Sequence, residues 1–308
     1  MEKIALISDV HGNLPALKAV IADAEKRGAA RFLLLGDYVT DFPFPNGIAE
    51  LLKGLENATI IRGNKEERYE RLRAEPELLS REQMAAARWD LSELSGENAD
   101  YLFSLPGTAE LEFGGQRLFA THSVRELCRK AARLSEAHSS WYRRTQAERP
   151  FARSEYIGKL TAAIDASPEV SRGLDELPRG IYAFGHNHLQ AHYRRGGSLF
   201  VNPGSCGLPL DFEPTAPYTI LTARDGEIRV EEIRVEYDIA ATVAAAMRSD
   251  MYEAAPVWCD IHARVLETGE DFISAFLDHA YDLAHLQGRE EIVSNEVWRK
   301  AWETWELR

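Results

Sequence analysis

The sequence predicts an α/β fold, and three observations carry that prediction. Short apolar runs of β type alternate with amphipathic helical stretches at the start of the chain, each of these runs stops at polar residues, and glycine-bearing turns join paired β-type runs further on. "KIALISD" (Lys3–Asp9) is the first strand and ends in a carboxylate, while Ala16–Gly28 has helical periodicity and stops at a glycine. "RFLLLGD" (Arg31–Asp37) is a second buried strand ending in Gly-Asp. "GIAELLKGL" is helical, and "ATIIRGN" (Ala58–Asn64) is a third strand ending in Gly-Asn. Strand–helix–strand–helix–strand predicts parallel strands joined by right-handed crossovers. A helical insert follows, roughly 66–103. Leu105–Phe113 and Gln116–His122 then read as a hairpin around Gly114-Gly115. A second, charged helical insert covers about 124–177, with breaks expected at Pro150 and Pro168. The β pattern resumes in "GIYAFGHNH", "QAHYRRGGSLFVNPGS" and "PYTILTARDGEIRVEEIRVEY", with Gly-Gly and Asp-Gly turns. From Asp238 the pattern is mostly helical. The expected organisation is one domain over 1–237 with a C-terminal helical extension, 238–308, packed on it or serving a homo-oligomer.

With 308 residues, 45% hydrophobic and 28% charged, the chain can bury a large core. It has no apolar run of the ~18 residues that would suggest a membrane span. It also shows no signal-peptide pattern, so a cytoplasmic protein is expected. Cys128, Cys206 and Cys259 lie far apart without a CxxC pair, which speaks against a disulfide framework. A net charge of −13 argues against a nucleic-acid partner unless a local patch or a bound metal intervenes. The arginines of Arg125–Arg149 are mixed with glutamates. For Arg125, Arg129 and Arg133 a solvated helix face is therefore favoured over a lid.

The polar residues at the strand ends form one set: Asp9 and His11 in "SDVHGN", Asp37 in "LGD", Asn64 in "RGN", His122 in "THS", His186 and His188 in "GHNH". Open α/β sheets bind ligands beyond their strand carboxyl ends. Two carboxylates, four imidazoles and an amide suit ions that accept mixed nitrogen and oxygen ligands, such as Mn, Fe, Zn, Ni or Co. Seven side chains exceed the needs of one four-coordinate ion and suit two ions sharing a carboxylate, for which Asp37 is the natural bridge. Each residue alone has an ordinary structural explanation, as a turn, cap or interior residue. Their order and common placement at strand ends do not.

In that order, D-x-H, G-D, G-N, an isolated H and G-H-x-H resemble the calcineurin-like metallophosphoesterase superfamily. The "NPGS" at Asn202–Ser205 is similar to its small bacterial and archaeal phosphodiesterase branch. The resemblance covers roughly Met1–Tyr237. It implies two mixed β-sheets packed face to face and flanked by helices, with a dinuclear metal site at the strand ends. By motif, the first metal would take Asp9, His11, Asp37 and His188, and the second Asp37, Asn64, His122 and His186, with Asp37, Asn64 and His122 acting in catalysis. It implies a phosphoric ester hydrolase, a phosphodiesterase or phosphomonoesterase, working by in-line attack of metal-bound hydroxide. Four positive charges against the carboxylates of Asp9 and Asp37 leave the site near +2, suited to phosphate on a phosphorylated small molecule, nucleotide or phosphoprotein. Many relatives carry a histidine directly after the G-N asparagine. Lys65 stands there instead, which leaves the general acid unassigned and favours good leaving groups.

Asn13, Lys65 and Arg68 are the candidate substrate contacts, and Asn13 serves equally well to steady the first loop. The pocket walls are expected from the two inserts. His192 reads as a strand or rim residue, while His138, His262, His279 and His285 lack partners at ligand spacing and read as structural. Cys206 has no implied base. Trp298, Trp302 and Trp305 recur at helical spacing as a packing face. A scaffold that keeps the fold only for protein binding would show broken ligand positions, and all seven here carry suitable residue types. A nuclease would need a basic groove.

Overall fold

The computed structural model describes residues 1–149, 152–285 and 292–306. Its first sheet contains β1 (Glu2–Ile7), β2 (Arg31–Leu34) and β3 (Ala58–Ile60), separated by helices α1 (Leu14–Lys26) and α2 (Pro45–Gly54). β1–β2 and β2–β3 pair in parallel, as the alternation predicts. The first insert forms α3 (Asn64–Ala74), two short 3-10 turns, α4 (Ala85–Glu93) and α5 (Gly96–Ser104). The second sheet begins with the antiparallel hairpin β4 (Thr108–Phe113) and β5 (Gln116–Thr121). The second insert follows as α6 (Arg129–Glu148), α7 (Arg153–Ala166) and α8 (Pro168–Asp175). Pro168 opens α8, where its missing N–H costs nothing; Pro150, the other expected break, lies outside the described residues. β6 (Ile181–Ala183), β7 (Ala191–Arg195) and β8 (Ser198–Asn202) complete this sheet in the order β4-β5-β6-β8-β7. β9 (Ala216–Arg224) and β10 (Glu227–Val235) return to the first, giving β10-β9-β1-β2-β3. Both sheets are therefore mixed.

Period-two alternation explains the layering. In β1, Ile4 and Leu6 enter the core between the sheets with Leu118, Ile181 and Val201. Ala5 and Ile7 face the opposite core, where α1 and α2 place Leu17, Val20 and Ile48. A strand buried on both faces must read as a continuous apolar run, which is why "IALI" shows no polar alternation. The outer face of the second sheet is covered by the second insert, through Tyr156, Leu160 and Ile164 against Tyr182 and Phe200.

The segment after residue 237 is helical, as expected: α9 (Ile239–Met247), α10 (Asp250–Ala254), α11 (Pro256–Thr268), α12 (Phe272–Leu283) and α13 (Asn295–Thr304). It packs on the core with Val265 and Leu266 against Phe42, Leu208 and Leu210, and with Met251 and Cys259 against Ala85 and Ala86. The late tryptophans form an internal packing face around Phe276, whose ring lies 4.9 Å from that of Trp298 and 5.2 Å from that of Trp305. Among the described residues no helix is long and apolar enough to cross a membrane.

Candidate functional site

The parallel strands end on one side of the molecule, and the loops beyond them bring the seven predicted residues together. Asp9 and His11 follow β1, Asp37 follows β2, Asn64 follows β3, His122 follows β5, and His186 and His188 follow β6. Five of the seven have left-handed backbones: Asp9 (φ 54°), His11 (53°), Asp37 (58°), His186 (75°) and His188 (59°). Non-glycine residues seldom adopt this region, and such strain persists where surrounding contacts enforce it. Here the loops are laced together. Val10 and His11 donate their N–H groups to the Asp37 carbonyl, Asp9 N–H donates to Gly36 O, and Gly207 N–H donates to Asp9 O. The "NPGS" motif closes the lacing, with Asn202 Nδ2 donating to Gly185 O at 2.9 Å and Ser205 Oγ to Asp9 O at 2.8 Å. A Cβ on Gly185 would lie 1.9 Å from Ser8 Oγ and 2.5 Å from an Asp9 carboxylate oxygen, so only glycine admits this turn to the site.

The side chains fall into two groups that meet at the aspartates. His188 Nε2 is 3.4 Å and His11 Nε2 is 4.0 Å from Asp9 Oδ1, and His11 Nε2 is 3.9 Å from Asp37 Oδ2. On the other side His122 Nε2 is 3.4 Å from Asp37 Oδ1, while His122 Nε2 and His186 Nδ1 lie 2.9 and 2.8 Å from Asn64 Oδ1. Asp9, His11 and His188 hold ligand atoms within 4.8 Å of one another, as do Asp9, Asp37 and His122. Asp37 touches both groups, and the two imidazoles of "GHNH" diverge, one to each.

Three of the four imidazoles are held from behind. His122 Nδ1 donates to Leu35 O, His188 Nδ1 donates to Leu208 O, each at 2.7 Å, and His11 Nδ1 lies 2.6 Å from Asp41 Oδ2. A backbone carbonyl can only accept, so Nδ1 carries the proton in the first two and Nε2 faces inward, the arrangement of metal-ligating histidines. His11 Nε2 is buried with no hydrogen-bond partner, an orphan that a cation would satisfy. The residues fit a pair of divalent ions.

The protonation pattern agrees with that use. Burial opposes an imidazolium at His122, yet the Asp37 carboxylate outweighs it and pushes the group up to about 10. Burial, and then the charge of His122, lowers His186 to about 4, and burial beside His11 lowers His188. Two imidazoles are thus kept in the neutral form that ligates, and a cation beside His122 would displace a proton.

Supporting residues that the sequence reading missed surround this centre. Glu66, fully buried on α3, accepts N–H bonds from Gly63, Asp37 and Tyr38 at 2.8, 3.0 and 2.7 Å, tying the Asp37 loop to the Asn64 loop. The only sequence signal is its place three residues after the helix-capping Gly63. Asp90 on α4 accepts from Thr40 N–H at 2.7 Å and Tyr69 Oη–H at 3.0 Å, and burial raises its carboxyl to about 8. Because an unfolded Asp titrates near ~4, the native state holds the extra proton between those values. The stability this contributes is full below pH ~4 and is lost as pH rises through about 8. Asp90→Asn keeps an acceptor oxygen and cannot ionise. Its melting temperature is expected to gain on the wild type from pH 5 to pH 9, and a constant difference across that range would refute the assignment.

A cavity of about 440 Å³ opens over the centre. Its floor includes His11, Asp37, Asn64, His186 and His188, with Lys65, Arg68, Tyr69 and Met84 from the first insert along one wall. The expectation that the second insert supplies the other wall is corrected here. That insert covers the outer face of the second sheet. Trp258, His262, Ile273, Leu277 and Tyr281, from α11 and α12, take the place expected of it.

The remaining predicted residues are placed as follows. Lys65 lines the cavity, and its backbone N–H donates to Asp37 Oδ1 at 2.8 Å. Arg68 lines it too, with Nη2 3.3 Å from Met84 Sδ. Asn13 does not belong with them. It is fully buried, caps α1 through Ala16 N–H, and donates to Gly207 O and Tyr237 Oη, so its amide is committed to steadying the first loop. His192, on the second sheet's edge strand β7, pairs with Glu232 of β10 in the first sheet at 2.7 Å. Arg125, Arg129 and Arg133 are exposed, and Cys206 is buried with its thiol pushed up by burial. His262, read as structural, is fully buried and stands at the cavity wall.

Comparison with known proteins gives a consistent result. The family described as Calcineurin-like phosphoesterase matches residues 2–190. An uncharacterised protein of Methanocaldococcus jannaschii is 28% identical over 253 residues, which are 77% of this chain and 88% of that protein. Among solved structures, a metallophosphoesterase from Sphaerobacter thermophilus superposes with a TM-score of 0.58 at 24% identity, and a hypothetical protein from Pyrococcus horikoshii with 0.60 at 19%. Each alignment covers 87% of this chain and 99% of the other. These two likenesses concern the fold.

Proposed function

Since this chain belongs to the calcineurin-like phosphoesterase family, we propose that it hydrolyses phosphoric esters at a pair of divalent cations held by Asp9, His11, Asp37, Asn64, His122, His186 and His188. The observation that carries the proposal is the convergence of two carboxylate–imidazole groups on Asp37, with His11 Nε2 buried and unsatisfied between them. The ions would supply an activated water near neutral pH and polarise the phosphoryl oxygens. Asp37 keeps the two groups in register. Lys65 and Arg68 add positive charge at one wall, where a phosphoryl oxygen turned away from the floor would lie.

The other wall bears on the substrate. Leu208, Leu210, Trp258, Ile273 and Leu277 make it largely apolar, so the organic part of the ester gains most if it is aromatic or aliphatic. An aryl leaving group also needs little help from a general acid. In the presence of Mn, bis(p-nitrophenyl) phosphate and p-nitrophenyl phosphate are expected to be turned over, with kcat/KM at least about tenfold above that for glycerol phosphate. Elemental analysis should find metal bound. Absence of both metal and turnover would refute the hydrolase reading. Equal use of glycerol phosphate would refute the apolar preference alone.

A further inference from the structure

We propose that α11, which lies outside the family-matched segment, is a working part of the metal centre. Trp258 is a positioning residue that holds the Asp41 carboxylate and, through it, the ligating imidazole of His11, with the His262 ring packed beside both. The inference rests on the metal-dependent reading above and extends it to residues far from any ligand motif.

Asp41 is 2% exposed and has a left-handed backbone (φ 77°). Its two carboxylate oxygens point in different directions. Oδ2 lies 2.6 Å from His11 Nδ1, and Oδ1 accepts the indole N–H of Trp258 at 2.8 Å. His262 Nε2 lies 3.1 Å from the same Oδ1. Trp258 and His262 are one turn apart on α11, and His262 Nδ1 donates to the Trp258 carbonyl at 2.7 Å. That bond leaves Nε2 facing the carboxylate. The Trp258 and His262 rings stand 4.5 Å apart, and Phe42, the neighbour of Asp41, meets the His262 ring edge-on at 6.0 Å. Among the described residues, no backbone N–H of the 37–44 loop donates to the Asp41 carboxylate.

The chain of dependence follows from that geometry. The His11 ring can rotate about its side-chain bonds unless Nδ1 is held, and its holder sits on a strained loop. That holder accepts a hydrogen bond from the Trp258 indole, which belongs to a helix more than two hundred residues away in sequence. Partners behind a metal-ligating histidine are typically worth 10–100-fold in metal affinity. The extension therefore does more than wall the cavity, because undocking α11 releases His11.

The test is titration of metal-free protein with Mn by calorimetry. Trp258→Phe keeps the ring and loses the donor. It is expected to weaken Mn affinity about tenfold or more, with circular dichroism and melting temperature of the metal-free protein close to wild type. In a cycle with Asp41→Asn, the Trp258→Phe loss should largely vanish, because both act through one carboxylate. His192→Ala, remote on β7, should titrate as wild type. Unchanged Mn affinity in Trp258→Phe, full additivity in the cycle, or an equal loss in His192→Ala would each overturn the proposal. A wild-type protein that binds no metal would instead overturn the reading on which it rests.

Discussion

Asp37→Asn is expected to lower kcat/KM on a phosphoric ester by about 10³-fold or more, equivalent to roughly 4 kcal/mol of transition-state stabilisation. Elemental analysis should show a fall from two bound ions toward one or none. The substitution is close to isosteric, and the Lys65 N–H that donates to Oδ1 keeps an acceptor in the amide oxygen. What is lost is charge at a side chain that reaches both groups, 3.4 Å from His122 Nε2 by one oxygen and 3.9 Å from His11 Nε2 by the other. An amide presents one oxygen where the carboxylate presents two. It also removes half of the negative charge of the proposed ligand set, in which Asp9 and Asp37 are the two carboxylates. Asp9→Asn, by contrast, leaves the His122–Asn64 side joined to Asp37 and should spare part of the second ion. Full metal content with retained turnover in Asp37→Asn would sink the bridging role.

The parts of this centre that were legible in the sequence are those whose chemistry restricts the residue type. Carboxylates, imidazoles and an amide stopping short apolar runs have few joint explanations, and the runs are recognisable because β1 and β2 are buried on both faces. The supporting residues were hidden for the opposite reason. Glu66 is one of several charges in "GNKEER", a stretch that reads as a solvated helix start. Nothing local distinguishes a glutamate turned inward onto three backbone N–H groups from one turned to water. Asp41 in "VTDF" resembles an ordinary turn aspartate. Its donor Trp258 is 217 residues away, and "VWCDIHARV" has the apolar spacing of any packed helix. His262 could be recognised only once α11 was docked. The position of the second insert is hidden for a related reason. Its apolar face predicts that it covers something, and only tertiary packing decides between the outer sheet face and the cavity.

Glu66→Ala is expected to cost about 3–5 kcal/mol of stability, read as a lower urea midpoint of the metal-free protein at unchanged slope. Three close backbone donors, from Gly63, Asp37 and Tyr38, would lose their acceptor in a site with no solvent access. An unsatisfied buried N–H costs roughly 1–3 kcal/mol, and a water entering the vacated space offsets part of the sum. Glu66→Gln keeps one acceptor oxygen but turns an NH₂ toward donors, so it should fall between alanine and wild type. This separates the two kinds of residue that build the centre. Asp37→Asn should lose metal, and its metal-free urea midpoint should fall only by the lost pairing with His122, a fall that shrinks as pH rises toward about 10. Glu66→Ala should lose metal and stability across that range, because Glu66 ties the Asp37 loop to the Gly63–Asn64 turn, and when that tie goes Asp37 and Asn64 no longer share a position. A Glu66→Ala protein with wild-type urea midpoint and wild-type metal content would show that the lacing of the other loops suffices and that this buried carboxylate is dispensable.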